Sequence, residues 1–167
     1  MIAASRAADA QAPGRSVPGW VVPASLGLIA AGLAVSIYLT ITHFTTTVKL
    51  ACSTTGAINC EKVTTSPQSY LLGIPVAALG VAFFVVAAAL CLPAAWRSPI
   101  PAVRYARIGW AVAGVAMVVR LVYAELFQIN AVCLWCTAVH VISGLLFAVV
   151  LVGEALAVQA ASGPTAR

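Results

Sequence analysis

The sequence predicts an all-α integral membrane protein: a four-transmembrane-helix bundle with a cysteine-bearing outer loop between its first two spans. Three observations predict it. Of 167 residues, 62% are hydrophobic and only 8% charged, and the mean hydropathy is +1.04, whereas a soluble domain carries about 25% charged residues. Four apolar stretches each reach the roughly 20 residues that a helix needs to cross the hydrocarbon core. The basic residues cluster in some of the intervening segments and are sparse in others, as in a multi-pass protein.

Taken in order, residues 1–19 form a polar leader with Pro13, Gly14 and Pro18, expected to be disordered and cytoplasmic. The first span, about 20–43 ("WVVPASLGLIAAGLAVSIYLTITH"), is too long for a signal-peptide core and follows that leader, so it is read as a retained helix. An outer loop covers 44–69. The second span, about 70–92 ("YLLGIPVAALGVAFFVVAAALCL"), is joined by a short inner link to the third, about 107–126. The fourth, about 131–153, opens on "CLWC", and residues 154–167 are read as a cytoplasmic tail ending in "ASGPTAR". Gly32, Gly73, Gly80 and Gly114 are expected to allow close helix approach. Trp20, Tyr38 and Tyr70 near span ends read as interfacial anchors.

Charge sets the orientation. The leader carries Arg6 and Arg15, and the link between spans two and three carries Arg97, Arg104 and Arg107. The outer loop has Lys49 and Lys62 against Glu61, and the link between spans three and four has no basic residue. The positive-inside rule therefore puts both termini in the cytoplasm and faces loop 44–69 outward. The net charge of +5 is spread between spans without aromatic interleaving, which argues against a nucleic-acid surface.

This topology divides the cysteines. Cys52 and Cys60 lie in the outer loop, Cys133 and Cys136 at the outer end of span four, and Cys91 alone at the inner end of span two, where it reads as a small packed residue. Two pairs thus share the side on which disulfides persist. Residues three apart on a helix have Cβ atoms about 5–6 Å apart, so Cys133 and Cys136 need little adjustment to bond. A helical 52–60 segment would hold its thiols some 12 Å apart, so a Cys52–Cys60 bond requires a turned loop, which "STTGAIN" suits. The four thiols also admit a zinc site, although Cys-x7-Cys lies outside the usual knuckle spacing. They admit two purely structural disulfides as well. A fixed pair beside a loop pair is the arrangement that thiol–disulfide exchange across a membrane surface needs.

The order "CSTTGAINC", "TTSPQS", "LLGIPVAALG" and "CLWC" resembles the bacterial branch of the vitamin K epoxide reductase family over about residues 20–153. The resemblance implies a four-helix bundle around a quinone (menaquinone or ubiquinone). It implies that Cys52 exchanges with a partner, that Cys60 passes electrons to Cys133, and that Cys136 delivers them to the quinone. Some bacterial members carry a fused thioredoxin-like domain; since this chain stops at residue 167, the partner is expected to be a separate, extracytoplasmic, DsbA-like thioredoxin-fold protein. The expected role is that of DsbB, reoxidising that partner from the bacterial inner membrane. Reduction of a quinone or of vitamin K epoxide for its own sake is the alternative reading, and a zinc- or disulfide-stabilised scaffold is the non-enzymatic one.

Ser66 falls where the family keeps a serine or threonine near the quinone. The vertebrate enzyme has a tyrosine where this chain has His140, and an asparagine shortly before span two where this chain offers Gln68 or Ser69. Plain quinone reduction is therefore expected over epoxide chemistry. His140 lies one turn past Cys136, on the same helix face. Arg120 is expected to snorkel to the outer interface or to steady quinone or thiolate charge, with Glu125 nearby in the same span. Trp135 is a further candidate to cap the quinone pocket. His43 is read as interfacial.

Overall fold

The computed structural model describes residues 17–45, 50–52 and 56–162. The expected leader up to residue 16, the last five residues and Lys49 lie outside the described residues. Helix α1 is Val21–Phe44. A short α2, Cys60–Thr64, and a 3-10 turn, Pro67–Ser69, lead into a small antiparallel hairpin, β1 (Tyr70–Leu71) and β2 (Ile74–Pro75). Helix α3 (Val76–Cys91), the short α4 (Pro93–Arg97), α5 (Pro101–Tyr123) with a terminal π turn (Ala124–Ile129), and α6 (Leu134–Ser162) complete the chain. Helices α1, α5 with its π turn, and α6 are long and apolar enough to cross a membrane, and α3 is a shorter apolar helix. The molecule is a helical membrane bundle.

The inner stripe of α1 is Val21, Ser25, Ile29, Gly32, Ser36 and Leu39, at three- and four-residue spacing. Half of it is small residues, Ser25, Gly32 and Ser36, because lipid accepts large side chains and packing rewards close backbones. The serines cost little: Ser25 Oγ donates to the Val21 carbonyl at 2.8 Å. Helix α3 fits this stripe from the other side, with the fully buried Phe84 ring lying over Gly32 and Gly80 facing Ser36. Phe84, Ile29, Ala87, Cys91, Ala111, Leu146 and Val150 form the central core.

Four expectations are corrected. The second span does not begin as helix at Tyr70. Leu72 (φ 53°) and Gly73 (φ 80°) both take positive φ, the backbone that a two-residue hairpin turn requires. Helix can start only after Pro75, whose missing N–H costs nothing at the cap. Gly73 accordingly serves this turn and has no neighbour that a Cβ would meet, whereas Gly32, Gly80 and Gly114 do sit under side chains of adjacent helices.

The fourth helix does not stop at 153 but runs to Ser162, because "EALAVQAAS" after Gly153 holds no proline or glycine and Glu154 is paired inside the bundle. Its partners are Arg104 and Arg107, read from sequence as link residues but lying within α5. Arg107 is buried, donating to Glu154 through Nε at 3.0 Å and also through a terminal nitrogen. It donates as well to the Leu90 carbonyl at 3.0 Å, and its guanidinium lies 3.6 Å from the Trp96 ring centroid. Arg104 pairs with the other Glu154 oxygen at 3.0 Å. The ends of α3, α5 and α6 are thereby tied together at the face opposite the thiols.

Candidate active site

The chain brings the loop to the Cys-x-x-Cys segment through its backbone. Ile58 and Val132 form a parallel bridge: the Val132 N–H donates to the Ala57 carbonyl at 2.9 Å, and the Asn59 N–H donates to the Val132 carbonyl at 3.1 Å. Asn59 then caps α2, its side-chain oxygen accepting the Lys62 N–H at 2.9 Å, so that Cys60 opens that helix. Cys60 and Cys133 are both wholly buried in one cluster with Val63, Ile129 and Ala131, against which Leu50, Cys52, Trp135 and Cys136 pack.

Cys52 and Cys60 are joined by a disulfide, with their Cα atoms 6.0 Å apart. Ala51, beside Cys52, is held from both sides: its N–H donates to the Tyr38 hydroxyl at 3.0 Å, and its carbonyl accepts the Trp135 indole N–H at 3.2 Å. The Tyr38 and Trp135 rings meet edge to face at 4.9 Å. Trp135, in the middle of "CLWC", is thus a brace that fixes the loop pair over the helix pair.

Cys133 and Cys136 are free thiols. Cys133 immediately precedes α6, and the Cys136 backbone N–H donates to its sulfur at 3.3 Å. Thr137 closes the turn, donating from Oγ1 to the Cys133 carbonyl at 2.9 Å.

Cys136 faces elsewhere. It lines a cavity of about 360 Å³, within the usual range for a small-molecule site. The wall is largely apolar, with Phe83, Phe84, Trp110, Met117 and Val139 prominent, and its polar residues include Ser66, Gln68, Ser69, His43, His140 and Glu125. Of the residues expected at a quinone, Ser66 and His140 reach this wall with Cys136, and Gln68 and Ser69 join them. Trp135 does not line the cavity, and Arg120 is exposed on α5. The Ser66 hydroxyl is already engaged, donating to the Val63 carbonyl at 2.7 Å.

Two wall residues were not expected. His43 is within 2.9 Å of the Tyr70 hydroxyl and joins α1 to the hairpin. Glu125 is buried in the π turn. The available signal for Glu125 was an acidic residue in an apolar span, which usually marks function.

The chemistry of the wall suits a quinone head group: flat apolar surfaces for the ring, a few polar groups for its oxygens, and one thiol. The Cys52–Cys60 bond also takes two of the four thiols that a zinc site would need, and no cluster of three metal-ligating side chains occurs among the described residues. Fold and site together define a membrane protein with a disulfide and a thiol pair beside an apolar cavity. The sequence profile of the vitamin K epoxide reductase family matches residues 23–151. The chain belongs to this family of membrane oxidoreductases, in whose reaction quinone generally takes part. No curated protein sequence matches the chain.

Proposed function

We propose that the protein is a thiol:quinone oxidoreductase that reoxidises an extracytoplasmic, DsbA-like thioredoxin-fold protein and so supports disulfide formation. The observation that carries this reading is the division of labour at "CLWC": Cys133 lies in the cluster of the loop disulfide, and Cys136 lies on the cavity wall.

The sulfur chemistry balances. A thiolate of the reduced partner attacks Cys52, breaking the Cys52–Cys60 bond and freeing Cys60. The partner's second thiol resolves the mixed disulfide, leaving the partner oxidised and Cys52 free. Cys60 then attacks Cys133 of a Cys133–Cys136 disulfide, releasing Cys136 at the cavity, and Cys52 attacks Cys60 to restore the loop bond. The dithiol state of Cys133 and Cys136 beside a Cys52–Cys60 bond is the end point of this sequence, and it is the state the structure describes. A quinone bound in the cavity supplies the acceptor for two electrons and two protons. Cys136 would be the thiol that meets it, and His140 and Gln68, on the same wall, would be available to its oxygens.

The active cysteines are assigned to the outer face of a bacterial cytoplasmic membrane and both termini to the cytoplasm. Arg97 and the leader arginines support this through the positive-inside rule; Arg104 and Arg107 contribute less, being paired with Glu154.

Quinone reduction driven by a reduced thioredoxin-fold protein tests the reading. Cys136→Ser should abolish turnover with every thiol donor. Cys52→Ser should abolish it with the protein donor and spare it with a small dithiol. Wild-type turnover in both variants would overturn the relay.

A further inference from the structure

One acidic side chain in the site has no part in the relay described so far. Glu125 is buried, 5% exposed, and the residue lies on the cavity wall. The π turn puts it there. A π turn inserts a residue into a helix and re-aims the side chains around it, and here the Glu125 carbonyl accepts the N–H of Asn130 and, at 3.1 Å, that of Ala131. Asn130 adopts left-handed backbone (φ 52°, ψ 47°), which asparagine tolerates, and the chain turns back at once toward Cys133. The Glu125 carboxyl lies near the Cys133 backbone. The carboxyl is close enough to interact electrostatically with both Cys133 and Cys136.

Among the described residues no lysine, arginine or histidine forms an ion pair with Glu125; the ion pairs there are those of Glu154 at the far end of the bundle. Arg120 is exposed on the preceding turns of α5. The other titratable groups of the wall are Cys136 and His140 on α6 and His43 on α1, the last engaged with Tyr70. A salt-bridging role is therefore closed to Glu125, and it is the carboxyl residue among these groups that lies both near Cys133 and on the cavity wall.

We propose that Glu125 is the proton carrier between Cys133 and the cavity, taking the proton of the Cys133 thiol as the Cys133–Cys136 bond forms and giving it to an oxygen of the acceptor. The step balances. Two S–H bonds break, one S–S bond forms, and two electrons and two protons leave the thiol pair. The proton of Cys136, which faces the cavity, passes directly, and that of Cys133 passes through Glu125. The assignment rests on the thiol:quinone reading above.

Glu125→Gln is the informative variant, because it keeps the size and a polar oxygen of the side chain but cannot take up a proton. Single-turnover oxidation of the Cys133/Cys136 dithiol by a short-chain benzoquinone, in purified full-length protein across a pH series, should slow by roughly tenfold or more, the usual scale for losing a positioned acid–base group. One limb of the pH profile should vanish with it. Glu125→Asp should recover part of the rate, and mixed-disulfide trapping of a partner on Cys52 should be unchanged in both variants. A second readout needs no quinone: in redox-difference infrared spectra, oxidising the pair with a soluble disulfide should perturb a protonated-carboxyl band in the wild type and not in Glu125→Gln. A wild-type rate and pH profile in Glu125→Gln, or no carboxyl change on oxidation, would overturn the proposal. Should the wild type fail to reduce quinone at all, the functional reading falls, and the infrared arm still decides for or against Glu125.

Discussion

Ile58 in the outer loop and Val132 before the last helix pair in parallel register, and the residues just beyond them, Cys60 and Cys133, are buried in one cluster. Register here does the work of catalysis by proximity. Two backbone hydrogen bonds, at 2.9 and 3.1 Å, hold a loop cysteine against a helix cysteine far away in sequence. On the proposed relay, effective concentration then favours Cys133 as the target of Cys60.

Removing the bridge should therefore uncouple the two pairs without removing a thiol. Val132→Pro deletes the N–H that bonds Ala57, at a stability cost of about 1 kcal/mol for one hydrogen bond. A Cys60–Cys133 bond, accumulated in a Cys52→Ala/Cys136→Ser background and detected by mass mapping, should fall by roughly tenfold or more when the bridge is broken. Val132→Ala, which keeps the N–H, should trap like the parent. Equal trapping in all three would show that the bridge is dispensable.

The two expected quinone contacts should behave differently. The Ser66 hydroxyl donates to Val63, so its hydrogen is already committed, while His140 lines the cavity one turn past Cys136. His140→Leu should raise the KM for a short-chain quinone by about tenfold, the equivalent of about 1.4 kcal/mol, the scale of a hydrogen bond lost from an apolar site. Ser66→Ala should change it by less than about threefold. Steady-state titration of the quinone checks both, and the reverse ranking would place the ring against Ser66.

How far the sequence could carry these conclusions depended on what each residue's signal was. Membrane character, the helical bundle and family membership were legible, because apolar length and cysteine spacing are local patterns. The start of α3 was not: "LLGIP" is apolar throughout, and hydropathy does not register the positive φ of Leu72 and Gly73. Glu154 and Arg107 were missed as partners because they lie 47 residues apart, and a charge near a span end reads as interfacial until its partner is known. Trp135 reads as an anchor or a pocket cap for a similar reason. Its bond to Ala51 spans 84 residues and leaves no periodic trace.

The Glu154 cluster should be the stability determinant of the end opposite the thiols. Glu154→Ala leaves Arg107 buried and unpaired, a change that costs about 3–5 kcal/mol in comparable buried pairs. Glu154→Gln keeps one acceptor and should cost less. Thermal unfolding in detergent should rank wild type above Glu154→Gln above Glu154→Ala. The Cys60–Cys133 exchange measured in protein that remains folded should be unaltered, since the cluster lies at the other end. A Glu154→Ala protein as stable as wild type would show that Arg107 finds water or lipid headgroups instead.

Two glycines separate packing from the cavity. A Cβ on Gly32 would stand 2.2 Å from Phe84 Cζ, and Phe84 is wholly buried in the core. One on Gly114 would stand 2.5 Å from Phe83 Cζ, a ring that stacks on Trp110 at 5.8 Å and lines the cavity beside it. Overpacking of this kind costs about 1–3 kcal/mol, so each alanine variant should unfold at lower temperature. They should differ in function. Phe84 also contributes to the cavity wall, but its ring is wholly buried against Gly32 of α1 and relieves the clash mainly by moving α1 and α3 apart. The Phe83 ring borders open space and can tilt into it. Gly114→Ala should thus lose less stability than Gly32→Ala and weaken quinone binding more, as read from unfolding temperature and quinone KM on the same preparations. If Gly114→Ala destabilised the fold as much as Gly32→Ala and left KM untouched, Phe83 would belong to the core alone.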